Sequence, residues 1–421
     1  MKPDAKAPVA SGTLGAEIAL RIDELAALSD EPGRLTRLYL GPAHRRAIDL
    51  VSEWMRAAGM TVRLDATGTL IGRYEGAAPD APALLIGSHI DTVRDAGRFD
   101  GNLGVITGIA VVGRLHASGR RPSFAVEVVA FGDEEGVRFP STLGGSRALA
   151  GRFEPRLLDE VDAEGVSRRQ ALERFGCDPA EISAAVRAPA STLGYVEVHI
   201  EQGPVLEAEG LPMGVVTAIN GASRGSVTVT GISGHAGTMP MQLRRDALAA
   251  AAEMIAAIER RGRQVADLVA TVGRLEVAGA ATNTIPGRVT FSLDVRHPAD
   301  HQRTAAIRDI ESSIKSIAAA RGIEVEVTID HDAPAAPADA GLSERLGRAV
   351  AHIGVPVRRL PSGAGHDAMA FGGAIPFAML FVRCRDGISH NPAEYASPAD
   401  IDLAARALAD FVDRWDREAG Q

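Results

Sequence analysis

Only two cysteines, Cys177 and Cys384, occur in 421 residues, too few for a disulfide framework or a thiolate zinc site in a chain of this length. A metal would have to be held by histidine and carboxylate. Excess positive charge is also lacking: 45 Lys and Arg stand against 54 Asp and Glu, for a net charge of −9. That balance argues against a general affinity for nucleic acid or an anionic membrane and favours small-molecule chemistry. Long apolar runs are missing too. The longest, residues 103–112, is broken by Gly104 and Gly108 and reaches about half of the ~20 residues a membrane helix needs, so it reads as a buried helix. The first twelve residues are polar with no apolar stretch behind them, so no secretory signal is expected and a cytoplasmic location is. No repeat of solenoid type is evident.

What is present fits a globular protein of two domains: 46% hydrophobic and 24% charged residues, in a chain longer than the usual single domain. Helical periodicity over 14–29 and 43–58 precedes short strands at 61–63 and 69–73. Residues 83–88 and 124–131 form near-continuous apolar strands of the buried kind, with a helix at 103–117 between them, which makes a βαβ unit. Two more buried strands are expected at 195–198 and 375–382. Between about Ile219 and His331 the pattern changes: 226–230 and 288–295 alternate as half-exposed strands flanking long helical stretches at 243–261 and 301–321. The expectation is an α/β catalytic domain with a central mixed sheet, made of 1–219 and 332–421. A smaller α+β (ferredoxin-like) domain, 220–331, would be inserted in it as a lid or partner-binding module.

Four buried strands deliver polar residues at their carboxyl ends, where ligands collect in open α/β sheets. His89-Ile90-Asp91 ends the first, and Asp100 follows in Arg98-Phe99-Asp100-Gly101. Glu134 and Glu135 lie just past the second, His199 ends the third, and His390 is in the loop behind the last. A lone histidine is more often a core or surface residue than a ligand. Three histidines, an aspartate and a glutamate pair on one rim point instead to two divalent cations, with zinc and manganese both suited to these donors. The economical assignment gives His89 and His199 to one ion, Glu135 and His390 to the other, and Asp100 to both. Asp91 would accept the His89 ring N–H and fix its tautomer. Adjacent glutamates would repel as free anions, so the pair divides its labour: Glu135 binds metal, while Glu134 acts as general base toward a water held between the ions and then as proton donor to the leaving amine.

Substrate contacts are sought among residues that bind planar anions and amides. Arg296, at the end of the strand 289–295, is a candidate carboxylate clamp, and Asn283, just before the turn 284–287, a candidate partner for a urea-type group. His235, in Ser233-Gly-His-Ala-Gly237, sits in a glycine-flanked loop that brings an imidazole close to a ligand, where it would stabilise an oxyanion. Gln202 is a candidate substrate contact and equally a helix-opening polar residue. His366, in the glycine-rich Gly363-Ala-Gly-His-Asp367, has no assigned role; that loop is too short and wrongly composed to bind phosphate.

Seven stretches carry a resemblance: Gly87-Ser-His-Ile-Asp-Thr-Val93, Phe99-Asp-Gly101, Asp133-Glu-Glu-Gly136, Glu197-Val-His-Ile-Glu-Gln-Gly-Pro-Val-Leu-Glu207, Gly234-His-Ala-Gly237, Ser362-Gly-Ala-Gly-His-Asp-Ala368 and Gly387-Ile-Ser-His-Asn-Pro392. In their order and spacing, over nearly the whole chain, they resemble the dinuclear-metal amidohydrolases of the hydantoinase/carbamoylase family. That family includes allantoate amidohydrolase, N-carbamoyl-L-amino acid hydrolase and β-ureidopropionase. The resemblance implies a peptidase-like catalytic domain, a smaller domain that makes a homodimer, and a His235 that serves the partner's active site. It also implies the roles given above to Glu134, Asn283 and Arg296. The expected reaction is hydrolysis of a ureido C–N bond in a carboxylate-bearing substrate, allantoate first, with release of ammonia and carbon dioxide. Carbamoyl amino acids are the alternative, and dipeptides a third.

Overall fold

The computed structural model describes residues 12–419; the first eleven residues, in which no secretory signal was expected, lie outside them. The chain divides into two compact units. One runs to Thr217 and takes in Ala338–Leu360 and everything from His366 on; the other comprises Ala218–Pro337 and Pro361–Gly365.

The first unit is built on a mixed sheet. Its strands lie in the order Thr61–Leu64, Leu70–Tyr74, Ala125–Phe131, Ala83–His89, Thr192–Ile200, Phe377–Val382, Met213–Ile219. The four in the middle run parallel to one another, and the outer ones are antiparallel to their neighbours. Every residue of Ala83–His89, Ala125–Phe131 and Phe377–Val382 is buried, which is why these segments are apolar almost throughout instead of alternating. Two acids interrupt the buried strands. Glu127 pairs with Arg73 and Arg187, and Glu197 accepts from Ser88 Oγ at 2.6 Å and Tyr195 Oη at 3.0 Å. The helix Asn102–Ala117 is buried on nearly every side, in keeping with its mostly apolar and small residues. It packs on Ala83–His89 and against the helices Leu14–Ala26 and Pro398–Ala419. Among the described residues no helix is long and apolar enough to cross a membrane.

The second unit is an antiparallel sheet backed by two helices, Ala247–Arg263 and Asp300–Ala320. Its strand order is Leu275–Val277, Arg288–His297, Gly221–Thr230, Glu324–Ala333. Arg288–His297 alternates strictly between exposed or half-buried and buried positions. Val289, Phe291, Leu293 and Val295 share a core with Met254, Ile258, Ile310 and Ile314 from the helices. One expectation needs correction, and one strand is additional. The first helix starts at Ala247 and not at Leu243, because the Asp246 side chain accepts from the amides of Leu248 and Ala249 and so caps the helix there; 241–243 form a separate 3₁₀ turn. Glu324–Ala333 was not anticipated as a strand, although Glu-Val-Glu-Val-Thr-Ile alternates along it.

Candidate metal centre and active site

Strand register brings the residues of the first unit together. His89 pairs with Phe131 and Phe381 with His199 across parallel ladders, and Ile86 pairs with Val196 between them, so four strands end at one level. The loops that follow them carry Asp91, Glu134, Glu135 and Gln202, and the chain beyond Val382 carries Ser389, His390 and Glu394. Asp100 arrives from the turn before the helix Asn102–Ala117. Its neighbour Gly101 has φ +66°, and a Cβ there would lie 2.4 Å from the His89 ring, so only glycine lets the backbone pass so close.

Asp100 is the centre of this cluster and is 4% exposed. Its Oδ1 lies 3.4 Å from His89 Nε2 and 3.1 Å from His199 Nε2, while Oδ2 lies 3.3 Å from His390 Nε2. His390 Nε2 is in turn 3.5 Å from Glu135 Oε2. The donor atoms of His89, Asp100 and His199 fall within 4.8 Å of one another, as do those of Asp100, Glu135 and His390. Each oxygen of one carboxylate thus faces its own donor group. Imidazole and carboxylate are what divalent cations such as zinc and manganese accept, and the grouping fits divalent-metal binding. The His199 ring is oriented for this, since Nδ1 lies 2.9 Å from the Ile200 carbonyl and leaves Nε2 toward Asp100.

Electrostatics agree with a site that collects positive charge. Burial opposes ionisation of Asp100, yet hydrogen bonds from His199, His390 and His89 hold its carboxyl well below the usual range. Burial likewise works against a charged His89, and Asp100 and Asp91 outweigh it, so the imidazole titrates well above its ordinary value. Asp100 lifts His390 to about 9. Desolvation and the Asp100 charge push Glu135 up to about 7, and desolvation raises Glu134 well above the normal carboxylate range despite the attraction of His89. The His390 side chain is 51% exposed and that of Glu135 only 6%, so the cluster opens to solvent at His390.

Asp91 has more than one task. His89 Nδ1 lies 3.1 Å from its main-chain carbonyl and 3.4 Å from Oδ1. The two carboxylate oxygens accept from the amides of Glu134 and Glu135 at 3.2 and 3.1 Å, tying the glutamate loop to the histidine strand. Gln202 does not open a helix. It has φ +57° and donates from Nε2 to Asp100 Oδ2 at 2.8 Å, while Glu201 caps the helix Val205–Ala208 through the amides of Val205 and Leu206. His366 is buried with its ring 4.6 Å from that of His199, and burial together with that neighbour holds it well below the usual imidazole value.

Three supporting groups escaped the sequence reading. Ser389 Oγ bridges Asp100 Oδ2 and Glu394 Oε2 at 2.9 and 3.0 Å, and Glu394 Oε1 accepts from the amides of Phe99 and Asp100. Arg168, almost fully buried, pairs with Asp133 beside the glutamates. Glu394 had a signal, the acid four residues beyond His390 in His-Asn-Pro-Ala-Glu; Arg168 had none, because its partner lies 35 residues away.

The other candidates belong to the second unit. His235, in the short strand Gly234–His235, pairs with Thr284, and the Ala236 amide donates to the Asn283 carbonyl at 2.8 Å, which sets Asn283 beside it. His235 is exposed, and its Nδ1 accepts from the Gly237 amide at 3.1 Å, so the ring proton resides on Nε2. Arg296 is held by its own strand: Nε and Nη2 donate to Asp294 at 2.8 and 2.9 Å, and Nη1 to the Gly363 carbonyl at 2.8 Å.

Residues 85–414 match the model of peptidase family M20/M25/M40. Among curated proteins the chain is 42% identical to allantoate deiminase 1 of Glycine max, over 94% of this chain and 89% of that one. It is 41% identical to an N-carbamoyl-L-amino acid amidohydrolase of Geobacillus stearothermophilus, over 97% and 99%. Among solved structures, a hydantoinase/carbamoylase family amidase from Burkholderia multivorans superposes with a TM-score of 0.89 at 35% identity, covering 94% of this chain and 97% of the other.

Proposed function

Because the chain belongs to peptidase family M20/M25/M40, as an amidohydrolase of its hydantoinase/carbamoylase branch, we propose that it is an allantoate amidohydrolase. It would cleave a ureido C–N bond in a carboxylate-bearing substrate and release ammonia and carbon dioxide. The observation that carries the chemistry is the two-sided Asp100, one oxygen toward His89 and His199 and the other toward His390, with Glu135 next to it. These five residues are the proposed holders of two divalent cations, zinc or manganese, which when bound supply an acidified water and a polarised ureido carbonyl.

The chain's own groups do the rest. Glu134, raised in basicity by desolvation, takes the proton of the attacking water and returns it to the departing nitrogen. Asp91 fixes that carboxylate by holding the Glu134 and Glu135 amides. His235 donates from Nε2 to the oxyanion, Arg296 clamps the substrate carboxylate, and Asn283 and Gln202 contact the ureido group. The segment 220–331 serves as lid and dimerisation domain of a cytoplasmic homodimer, and His235 completes the partner's site. Ile232, Met241 and Leu243, 54%, 70% and 70% exposed around the His235 loop, are apolar surface of the kind a subunit contact covers.

A nearly equal identity to a carbamoyl-amino-acid hydrolase keeps that substrate class as the second reading. Ammonia release from allantoate and from N-carbamoyl amino acids, with zinc or manganese added, separates the two. We expect the higher kcat/KM on allantoate, and a preference for carbamoyl amino acids selects the second reading. In the same assay Glu134→Gln is expected to abolish turnover with bound metal unchanged by elemental analysis. Retained turnover removes Glu134 as the base.

A further inference from the structure

The guanidinium assigned to the substrate carboxylate is already engaged, and the way it is engaged has chemical content. Arg296 has five N–H donors. Asp294 takes two, at Nε and Nη2, and the Gly363 carbonyl takes one at Nη1, which leaves one on each terminal nitrogen. Asp294 Oδ2 also accepts from Arg224 Nε at 3.0 Å. The strand ladder explains the grouping. Asp294 and Arg296 are two apart on one strand and so share a face, Arg224 sits directly opposite Asp294, and the residue opposite Arg296 is the small Ala222. Leu293 and Val295, which alternate with them along the strand, point into the core, so the Arg224–Asp294–Arg296 row lies on the face away from the helices. The row carries two positive charges and one negative, a surplus of one.

We propose that Asp294 is the positioning residue of the Arg296 carboxylate clamp and that Arg224 sets its charge, so that this row selects one singly charged carboxylate. The inference rests on the reading of Arg296 as the clamp. Asp294 holds the long arginine side chain in one geometry before substrate arrives, and the Gly363 carbonyl fixes the plane of the fork. Binding then orders little that was free. Arg224 compensates Asp294, so the row as a whole keeps the surplus charge that a monoanion neutralises.

The experiment compares a ureido carboxylate with its carboxamide, using the full-length metal-loaded enzyme and the variants Asp294→Asn, Asp294→Glu, Arg224→Gln and Arg296→Lys. For Asp294→Asn we expect KM for the carboxylate to rise about tenfold with kcat nearly unchanged, in line with the loss of one pre-ordered side chain. kcat/KM for the carboxamide should stay as it was, and Asp294→Glu should restore part of the KM. Arg224→Gln should raise KM for the carboxylate alone. An Asp294→Asn effect of equal size on both substrates means a merely structural role and overturns the proposal, as does a fall in KM, which would make Asp294 a competitor of substrate. The parent reading fails separately: an unchanged KM in Arg296→Lys places the clamp elsewhere.

Discussion

His44 shows how one side chain ties stability to acidity. It is fully buried on the helix Pro42–Ala57, accepts the Leu40 amide on Nδ1 at 3.0 Å and stacks on Phe175 with ring centroids 5.3 Å apart. Burial, with Arg37, Arg45 and Arg138 adding to it against the pull of Asp91, lowers its pKa from 6.5 to about 3. The sign follows from linkage. Below pH 6.5 the unfolded chain takes up a proton at this position that the native chain refuses until about pH 3, so stability falls as pH falls through that window. The steepest contribution of one such group is about 1.4 kcal/mol per pH unit. Urea unfolding of the wild type and of His44→Gln, whose amide oxygen can still accept from Leu40, should therefore diverge in pH dependence between about pH 6 and about 4.5, the wild type losing stability faster. Parallel curves would mean that His44 takes up its proton inside the fold.

Among the elements, the loop that carries Glu134 and Glu135 is the one whose order matters most. The Asp133 carbonyl accepts the Leu143 amide at 2.6 Å and closes it. Arg168 spans both ends: Nη1 pairs with Asp133, and Nη2 donates to the Ser141 carbonyl at 2.9 Å and to Glu160 at 3.1 Å. Arg168 is delivered by the first turn of the helix Arg168–Arg174, fixed by the Ser167/Gln170 capping box, and its guanidinium lies 4.5 Å from the Phe139 ring. Burial lifts Asp133 to about 7 even with that arginine beside it. Removing one partner strands the other charge, so Arg168→Met should cost about 3 kcal/mol in chemical denaturation, and adding Asp133→Asn should recover part of it. Simple additivity of the two losses would show that the pair does not couple. The same loop marks where reading the chain alone succeeds and fails. His89, Glu134, Glu135 and His199 were legible because apolar runs locate buried strands, and residues at strand ends share a rim whatever the loops do. Asp133–Arg168 and Ser389–Glu394 were not, because such pairings depend on loop paths that no periodicity encodes. Leu243 was misread for a local reason: its apolar neighbours continue the helical period, and the Asp246 cap that interrupts it is a single residue.

At the scale of the whole molecule, the proposed homodimer would let His235 serve either its own subunit's site or its partner's. The loop that bears it is built to be rigid. Arg244 donates to the Ala236 and Met239 carbonyls, and Gly234–His235 pairs with Thr284–Ile285, so an exposed imidazole with its proton on Nε2 is presented at a fixed place. Such a residue is ordered without the substrate, which is what a donor lent to another subunit requires. The proposal of a homodimer with shared sites makes a quantitative demand on mixtures. Glu134→Gln subunits keep a working His235 and lack the base; His235→Ala subunits keep the base and lack the donor. If His235 acts across the interface, a mixed dimer has one site with Glu134 from one subunit and His235 from the other, and one site with neither. Random reassembly of equal amounts makes half of the dimers mixed, so the mixture should regain about a quarter of wild-type activity although each variant alone is nearly inactive. If His235 serves its own subunit, every site in the mixture lacks one group and nothing is regained. Sedimentation of the mixture checks that dimers formed, so an inactive mixture of dimers would assign His235 to its own chain.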